Sequence, residues 1–296
     1  MRVFVTGASG WVGTPTVAAL VAAGHDVTGL ARSDGAAAKI EAAGAKVLRG
    51  TIEDYDLLAE AAAAADGVIH TAFIHDFAHF AENCAIDGKA IAAMVDALSG
   101  TGKPFIATSG TGVLQTSELA TEEMMAPENT GFPRISEKAS FAGLDKNVRA
   151  MIVRLPPTTH GRGDHGFTPW LINIAREKGH AAYVGDGGNC WAAGHRLDAA
   201  KVFTLALEKG EAGDRFHAVA ETGIAMRDLA SAIGKGLGVP VKSISAEEAE
   251  AYYGMFTHFA MMNSRASSAL TRAKLGWQPV EKTLLSDLAE DYYFTT

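Results

Sequence analysis

Val3-Phe4-Val5-Thr6-Gly7-Ala8-Ser9-Gly10-Trp11-Val12-Gly13-Thr14 carries a short β-branched run into three glycines set three residues apart, and an Ala-rich window follows. Arg2–Thr6 reads as a strand, and Thr14 to Ala23 as a helix closed by Gly24, where a left-handed cap is cheap. Between a strand and a helix, each glycine has a physical task. Gly7 permits the tight turn, Gly10 lets backbone approach a pyrophosphate, and Gly13 lets the helix pack on the strand. Ser9, Trp11 and Val12 complete the loop, and the unpaired N–H groups at the helix start face the phosphates. The stretch therefore predicts a dinucleotide-binding turn.

Outward from it, short apolar runs alternate with helical windows. Strands are expected at Arg2 to Thr6, Asp26 to Ala31, Lys46 to Arg49, Gly67 to Thr71, Pro104 to Thr108 and Arg149 to Leu155, with a helix at Glu82 to Leu98. This is an α/β pattern: a Rossmann-type doubly wound parallel sheet with a small C-terminal substrate lobe. Pro156-Pro157 and the Gly161 to Gly166 segment break the rhythm as an active-site loop does. Residues 1–158 form the dinucleotide-binding domain, 196–220 rejoin its sheet through a strand at Arg215 to Val219, and 159–195 with 221–296 form the substrate-binding lobe. A helix at Asp198 to Glu208 would take Asp198 as its N-cap. The Tyr252-Tyr253-Gly254-Met255-Phe256 run reads as lobe core.

The residue that chooses the cofactor lies about 20 positions past the loop, where an acid would grip the ribose 2'-hydroxyl of NAD. Here the second strand ends Leu30-Ala31-Arg32-Ser33, and a guanidinium suits a 2'-phosphate instead. NADP(H) is the expected cofactor, held at that end by Arg32 and Ser33. Asp34, past the strand in a turn, keeps NAD(H) as the second choice.

Twenty-six Lys and Arg against 34 Asp and Glu give a net charge of -8, which offers no general attraction to nucleic acid or an anionic membrane. The 48% hydrophobic content suffices for a large core, yet no apolar run approaches the roughly 20 residues of a membrane span. Cys84 and Cys190 lack metal-site spacing and read as two reduced thiols. A soluble cytoplasmic protein is expected, with a small-molecule substrate, no metal, neither nucleic acid nor membrane as partner, and a homodimer left open.

The glycine spacing and several later segments resemble the short-chain dehydrogenase/reductase superfamily, in its extended epimerase/dehydratase-like branch. Gly50-Thr51-Ile52 is similar to that branch's adenine-side segment, with Thr51 in place of the usual Asp. Val68-Ile69-His70-Thr71-Ala72 is similar to its fourth strand, whose end, Thr71 and Ala72, passes along the cofactor. Phe105 to Val113 resembles the fifth strand with the active-site serine, here Ser109 or Thr111. Arg154-Leu155-Pro156-Pro157-Thr158-Thr159-His160-Gly161 resembles the segment beside the nicotinamide, to which Pro156 belongs, and His195 to Ala200 a late helix start.

The family pairs a Tyr with a Lys four residues later, and this chain has no such pair. Arg134-Ile135-Ser136-Glu137-Lys138 is the counterpart, with arginine in the tyrosine's place. A guanidinium is a poor proton donor at neutral pH. Arg134 is expected to stabilise a developing alkoxide, water or a nearby histidine, His75 or His160, to supply the proton, Lys138 to hold the nicotinamide ribose, and Trp191 and His195 to touch substrate. The leading expectation is an NADP(H)-dependent oxidoreductase acting on a carbonyl or related double bond. Against it stand a cofactor-binding redox sensor without catalysis and a nucleotide-sugar epimerase or dehydratase.

Overall fold

The computed structural model describes residues 1–127 and 131–295. In chain order its first half runs β1 (Arg2–Thr6), α1 (Gly13–Ala22), β2 (Asp26–Ala31), α2 (Asp34–Ala42), β3 (Lys46–Arg49), α3 (Tyr55–Ala64), β4 (Gly67–His70), α4 (Phe80–Ala97), β5 (Pro104–Gly110), α5 (Ser136–Phe141) and β6 (Arg149–Leu155). The second half runs β7 (Thr158–His160), α6 (Phe167–Lys178), β8 (Ala181–Val184), β9 (Cys190–His195), α7 (Arg196–Lys209), β10 (Arg215–His217), β11 (Glu221–Ala225), α8 (Met226–Leu237), β12 (Val241–Ile244) and α9 (Ala249–Tyr253).

Seven strands form one parallel sheet in the order β10-β6-β5-β4-β1-β2-β3. Both faces are covered, which is why β1, β4 and β5 read as continuous apolar runs rather than alternations. On one face Val17 and Leu20 of α1 pack with Phe203 and Leu207 of α7; on the other, Leu58 of α3 packs with Ile91, Met94 and Leu98 of the α4 side. The strand order reverses between β1 and β4, so the crevice outside their carboxyl ends is where a ligand of such a sheet sits.

The remaining strands build a lobe of two small sheets, β11-β9-β7 and β12-β8. Helix α8 turns Met226, Leu229, Ala230 and Ile233 toward it, the spacing of one helical face. Tyr252, Tyr253 and Phe256 are buried in the same core.

The strand spans agree closely with expectation, with β4 one residue shorter, β5 two residues longer and β10 two residues shorter. One expectation fails at α7. The helix begins at Arg196 because His195 caps it, its Nδ1 accepting from the Leu197 amide at 3.3 Å. Asp198 lies inside the first turn, and its Oδ2 takes the amides of Val280 and Glu281 instead.

Candidate functional site

The glycine loop sits at the carboxyl end of β1. Gly7 holds φ +66°, and a Cβ there would lie 2.6 Å from the Ala72 amide nitrogen, so Ala72 packs directly beneath the turn. A Cβ on Gly13 would lie 1.9 Å from the Gly7 carbonyl oxygen, so that glycine sets the contact of helix with turn. Gly10 differs: a Cβ there would meet only the Gly7 carbonyl oxygen, at 3.0 Å and 4.0 Å from its carbon, with open space beyond. No side chain caps α1 and no acid lies in its first turn; the Thr14 amide already donates to the Gly10 carbonyl and Pro15 has none, which leaves the Val12 and Gly13 amides to take an anion.

At the adenine end, Arg32 is exposed. Ser33 caps α2 by accepting from the Ala36 amide. The Asp34 carboxylate lies 2.5 Å from Arg49, whose strand position pairs with Ala31. Thr51 is spent on Asp54, which accepts from its amide at 2.6 Å and its hydroxyl at 3.0 Å. Ile52 packs partly buried against the α3 side of the core, and Thr71 donates its hydroxyl to the Thr6 carbonyl.

At the other end, Trp11 bridges the loop to the β7 segment. Its indole N–H donates to the Thr159 carbonyl at 2.8 Å, the Arg196 guanidinium lies 4.2 Å over its ring, and His165 meets it edge-on. Pro156 is buried beside Gly194. Asp164, whose carboxyl burial pushes up, accepts from the Gly166 amide and the Tyr293 hydroxyl. None of Arg196, His165 and Asp164 stands out in the sequence.

Ser109 and Thr111 end β5 nearly buried, and neither hydroxyl has a partner among the described residues. Beside them Arg134 donates from Nη2 to the Thr108 carbonyl at 3.3 Å and from Nε to Ser136 Oγ at 3.1 Å, with its guanidinium 4.2 Å over the Phe73 ring. His75 stands edge-on to Phe73; burial first, then the Arg134 charge, lowers its pKa and favours the neutral ring.

Behind this surface runs a buried chain. The Ser136 hydroxyl donates to Asp87 Oδ2 at 2.6 Å, Asp87 Oδ1 meets His70 Nε2 at 3.0 Å, and His70 Nδ1 meets Thr6 Oγ1 at 2.7 Å. Burial pushes the Asp87 carboxyl up, but the bonds from His70 and Ser136 and the Arg134 charge outweigh it, so it stays below the ordinary carboxylate range. Thr6, His70 and Asp87 resemble a nucleophilic triad in composition, yet each is at most 1% exposed, so no substrate reaches the hydroxyl.

Two sequence expectations, substrate contact by Trp191 and by His160, do not survive this geometry, and the Arg134–Lys138 pair is arranged differently from a helical one. Arg134 precedes α5 in non-helical backbone, so the four-residue spacing to Lys138 does not bring the two onto one helical face. Lys138 is exposed and opposite the face that buries Ser136, Glu137 and Ser140. Trp191 is fully buried, its N–H donated to the Phe259 carbonyl, and belongs to the lobe core. His160 is also fully buried, with Nδ1 on Asp287 at 2.8 Å, so it cannot reach a substrate directly. His195, half-buried beside the His160 ring, has its Nδ1 taken by the α7 cap, and burial lowers its pKa.

Among the described residues no cluster of three or more His, Cys, Asp and Glu can hold a metal, and no helix is long and apolar enough to cross a membrane. What the geometry defines is an α/β protein with a glycine-rich turn and a group of polar side chains at the sheet's switch point. The chain belongs to the NAD dependent epimerase/dehydratase family, whose sequence model matches residues 3–220. It is 48% identical to an uncharacterised protein of Schizosaccharomyces pombe, across 99% of this chain and 100% of that one. It is 30% identical, over 72% of this chain and 66% of the other, to the 4-hydroxy-2-methyl-3-oxo-4-farnesyl-3,4-dihydroquinoline-1-oxide ketoreductase of Stigmatella aurantiaca. Its fold is similar to that of the dTDP-glucose 4,6-dehydratase DesIV of Streptomyces venezuelae, solved with NAD bound, with a TM-score of 0.79, 18% identity, and coverage of 99% and 97% of the two chains.

Proposed function

We propose that this protein is an NADP(H)-dependent oxidoreductase that moves hydride to or from the carbonyl of a small organic molecule. The observation that carries the reading is the pair of buried, unpartnered hydroxyls of Ser109 and Thr111 beside the fixed guanidinium of Arg134. A buried hydroxyl without a partner is costly, and a substrate oxygen would satisfy it once the residues covering the two oxygens, neither of which is exposed, move aside. The pyrophosphate fits the space left by Gly10 and the free amides of α1, and Arg32 suits a 2'-phosphate because the nearby acid, Asp34, is tied to Arg49.

Bound NADPH supplies the hydride. Ser109 and Thr111 orient the carbonyl, and Arg134 stabilises the negative charge that develops on its oxygen as hydride reaches the carbon. Arg134 keeps its own proton, and His75, whose lowered pKa leaves it neutral, has no acidic proton to give, so the alkoxide takes its proton from water. The same steps reversed oxidise an alcohol. A nucleotide-sugar epimerase needs a base strong enough to strip a sugar hydroxyl, and no tyrosine stands where that base would be. The ketoreductase relative favours carbonyl reduction.

The test is NADPH oxidation followed by absorbance across a panel of aldehydes, ketones, quinones and imines. Arg134→Ala should lower turnover by about 10²- to 10³-fold with NADPH affinity unchanged. Cofactor binding with no turnover of any panel member would replace the enzyme by a redox sensor.

A further inference from the structure

Arg134 approaches the reacting oxygen in this reading, but a long flexible side chain does not hold one direction unaided. Its direction is set from behind. Nε donates to Ser136 Oγ, Ser136 Oγ donates in turn to Asp87 Oδ2, and Nη2 is held by the Thr108 carbonyl, so two hydrogen bonds and the Phe73 face fix the guanidinium plane. Nη1 has no partner among the described residues. Bonds that run head to tail polarise one another, and an ionised acceptor at the end strengthens the chain.

Asp87 is itself anchored. It is 1% exposed, and its second oxygen meets His70. Thr6 Oγ1 is buried and has His70 Nδ1 as its side-chain partner, so hydrogen-bond accounting makes Thr6 the donor there and leaves the His70 proton on Nε2, facing Asp87. Thr6 immediately precedes Gly7, so one continuous chain joins the base of the cofactor loop to Arg134.

We infer that Asp87 is a positioning residue for this reaction: acting through Ser136, it is the buried counter-ion that fixes where the Arg134 guanidinium points. The inference rests on the reading in which Arg134 faces substrate. Without the Asp87 charge, Ser136 loses its acceptor, its hydroxyl is free to rotate, and Nε no longer has an oriented partner. The protein would still fold around His70 and bind cofactor, while the catalytic charge would wander by distances that matter for rate.

The experiment uses the NADPH-bound protein and the variants Asp87→Asn, Ser136→Ala and Ser136→Thr, each alone and combined with Arg134→Ala. Turnover is read on a panel aldehyde reduced by wild type, cofactor affinity by calorimetry, and the solvent exchange of the Arg134 Nε–H by nitrogen-15 NMR, its resonance assigned by its loss in Arg134→Ala. Asp87→Asn and Ser136→Ala should each lower kcat by up to about a hundredfold, with NADPH affinity unchanged. Nε–H exchange should rise by about tenfold, the value of one lost hydrogen bond. Ser136→Thr, which restores the hydroxyl, should recover both. In the Arg134→Ala background neither change should lower turnover further. Additive losses, or an Nε–H exchange rate unmoved by both variants, would overturn the inference. If Arg134→Ala itself retains turnover, the functional reading fails, and the exchange rates still decide whether Asp87 holds Arg134.

Discussion

Replacing Glu137 by glutamine tests how α5, which carries Ser136, is fixed to the sheet. Glu137 presents its two carboxylate oxygens to Arg154 of β6, 2.8 Å from Nε and 2.7 Å from Nη2, and the Arg154 side chain has no exposed surface. Among the described residues, the one other side-chain bond of Arg154 is from Nη1 to His217 Nε2, at 3.3 Å. Glutamine keeps the shape but leaves a buried guanidinium with no counter-charge and one amide turned donor-to-donor against it. Breaking a buried pair in this way costs about 3–5 kcal/mol. For a chain of this size, at about 2 °C per kcal/mol, the melting temperature should fall by roughly 6–10 °C. Urea unfolding at pH 7 is the direct assay. The same physics predicts that removing both charges together, Glu137→Leu with Arg154→Met, loses much less than the single change, because neither buried charge is then stranded. A single-variant loss below about 1 kcal/mol, or a double variant less stable than the single one, would refute the argument.

Arg32→Glu should weaken NADPH binding by about tenfold or more and NADH binding little, read by calorimetry with both cofactors; equal losses would remove the 2'-phosphate assignment. Gly10→Val should abolish dinucleotide binding while the protein keeps its melting temperature within a few degrees, whereas Gly13→Val, whose Cβ falls 1.9 Å from the Gly7 carbonyl oxygen, should fail to fold. Thermal melts with and without NADPH separate the two, and equal behaviour would mean the loop has been misassigned. His217 adds a pH signature. Burial, reinforced by the Arg154 charge, lowers its pKa from 6.5 to about 4, so between these values the unfolded chain binds a proton that the native chain declines. Stability should therefore be lost as pH falls from about 6.5 toward 4, by on the order of 3 kcal/mol from this group. His217→Gln should flatten that stretch of the curve, and identical slopes for the two proteins would exclude the histidine as its cause.

The parallel sheet was legible because its signals are local. A strand buried on both faces must be apolar throughout, and the turn after β1 needs glycine at fixed places, so β1, β2, β3 and β6 could be bounded from neighbouring residues alone. The site's polar chain was not legible, because Thr6, His70, Asp87 and the Arg134–Ser136 pair come from four separate segments and meet only after the sheet is built. One sign of it was present. Asp87 falls in line with Cys84, Ile91 and Met94 on the buried stripe of α4, where an unpaired acid is too costly to tolerate. The Arg134–Lys138 spacing shows the opposite limit: a four-residue spacing puts two side chains on one face only where both residues are helical, and α5 starts after Arg134. Asp198 looked like a cap because aspartate before an Ala-rich run usually is one, yet His195 reached the helix first and freed the carboxylate to hold the distant Val280 and Glu281 amides. Where a residue's role follows from backbone it makes itself, sequence suffices. Where its role is to satisfy a partner far along the chain, only the folded protein says which polar group goes with which, and the buried chain from Thr6 to Arg134 is built almost wholly from the second kind.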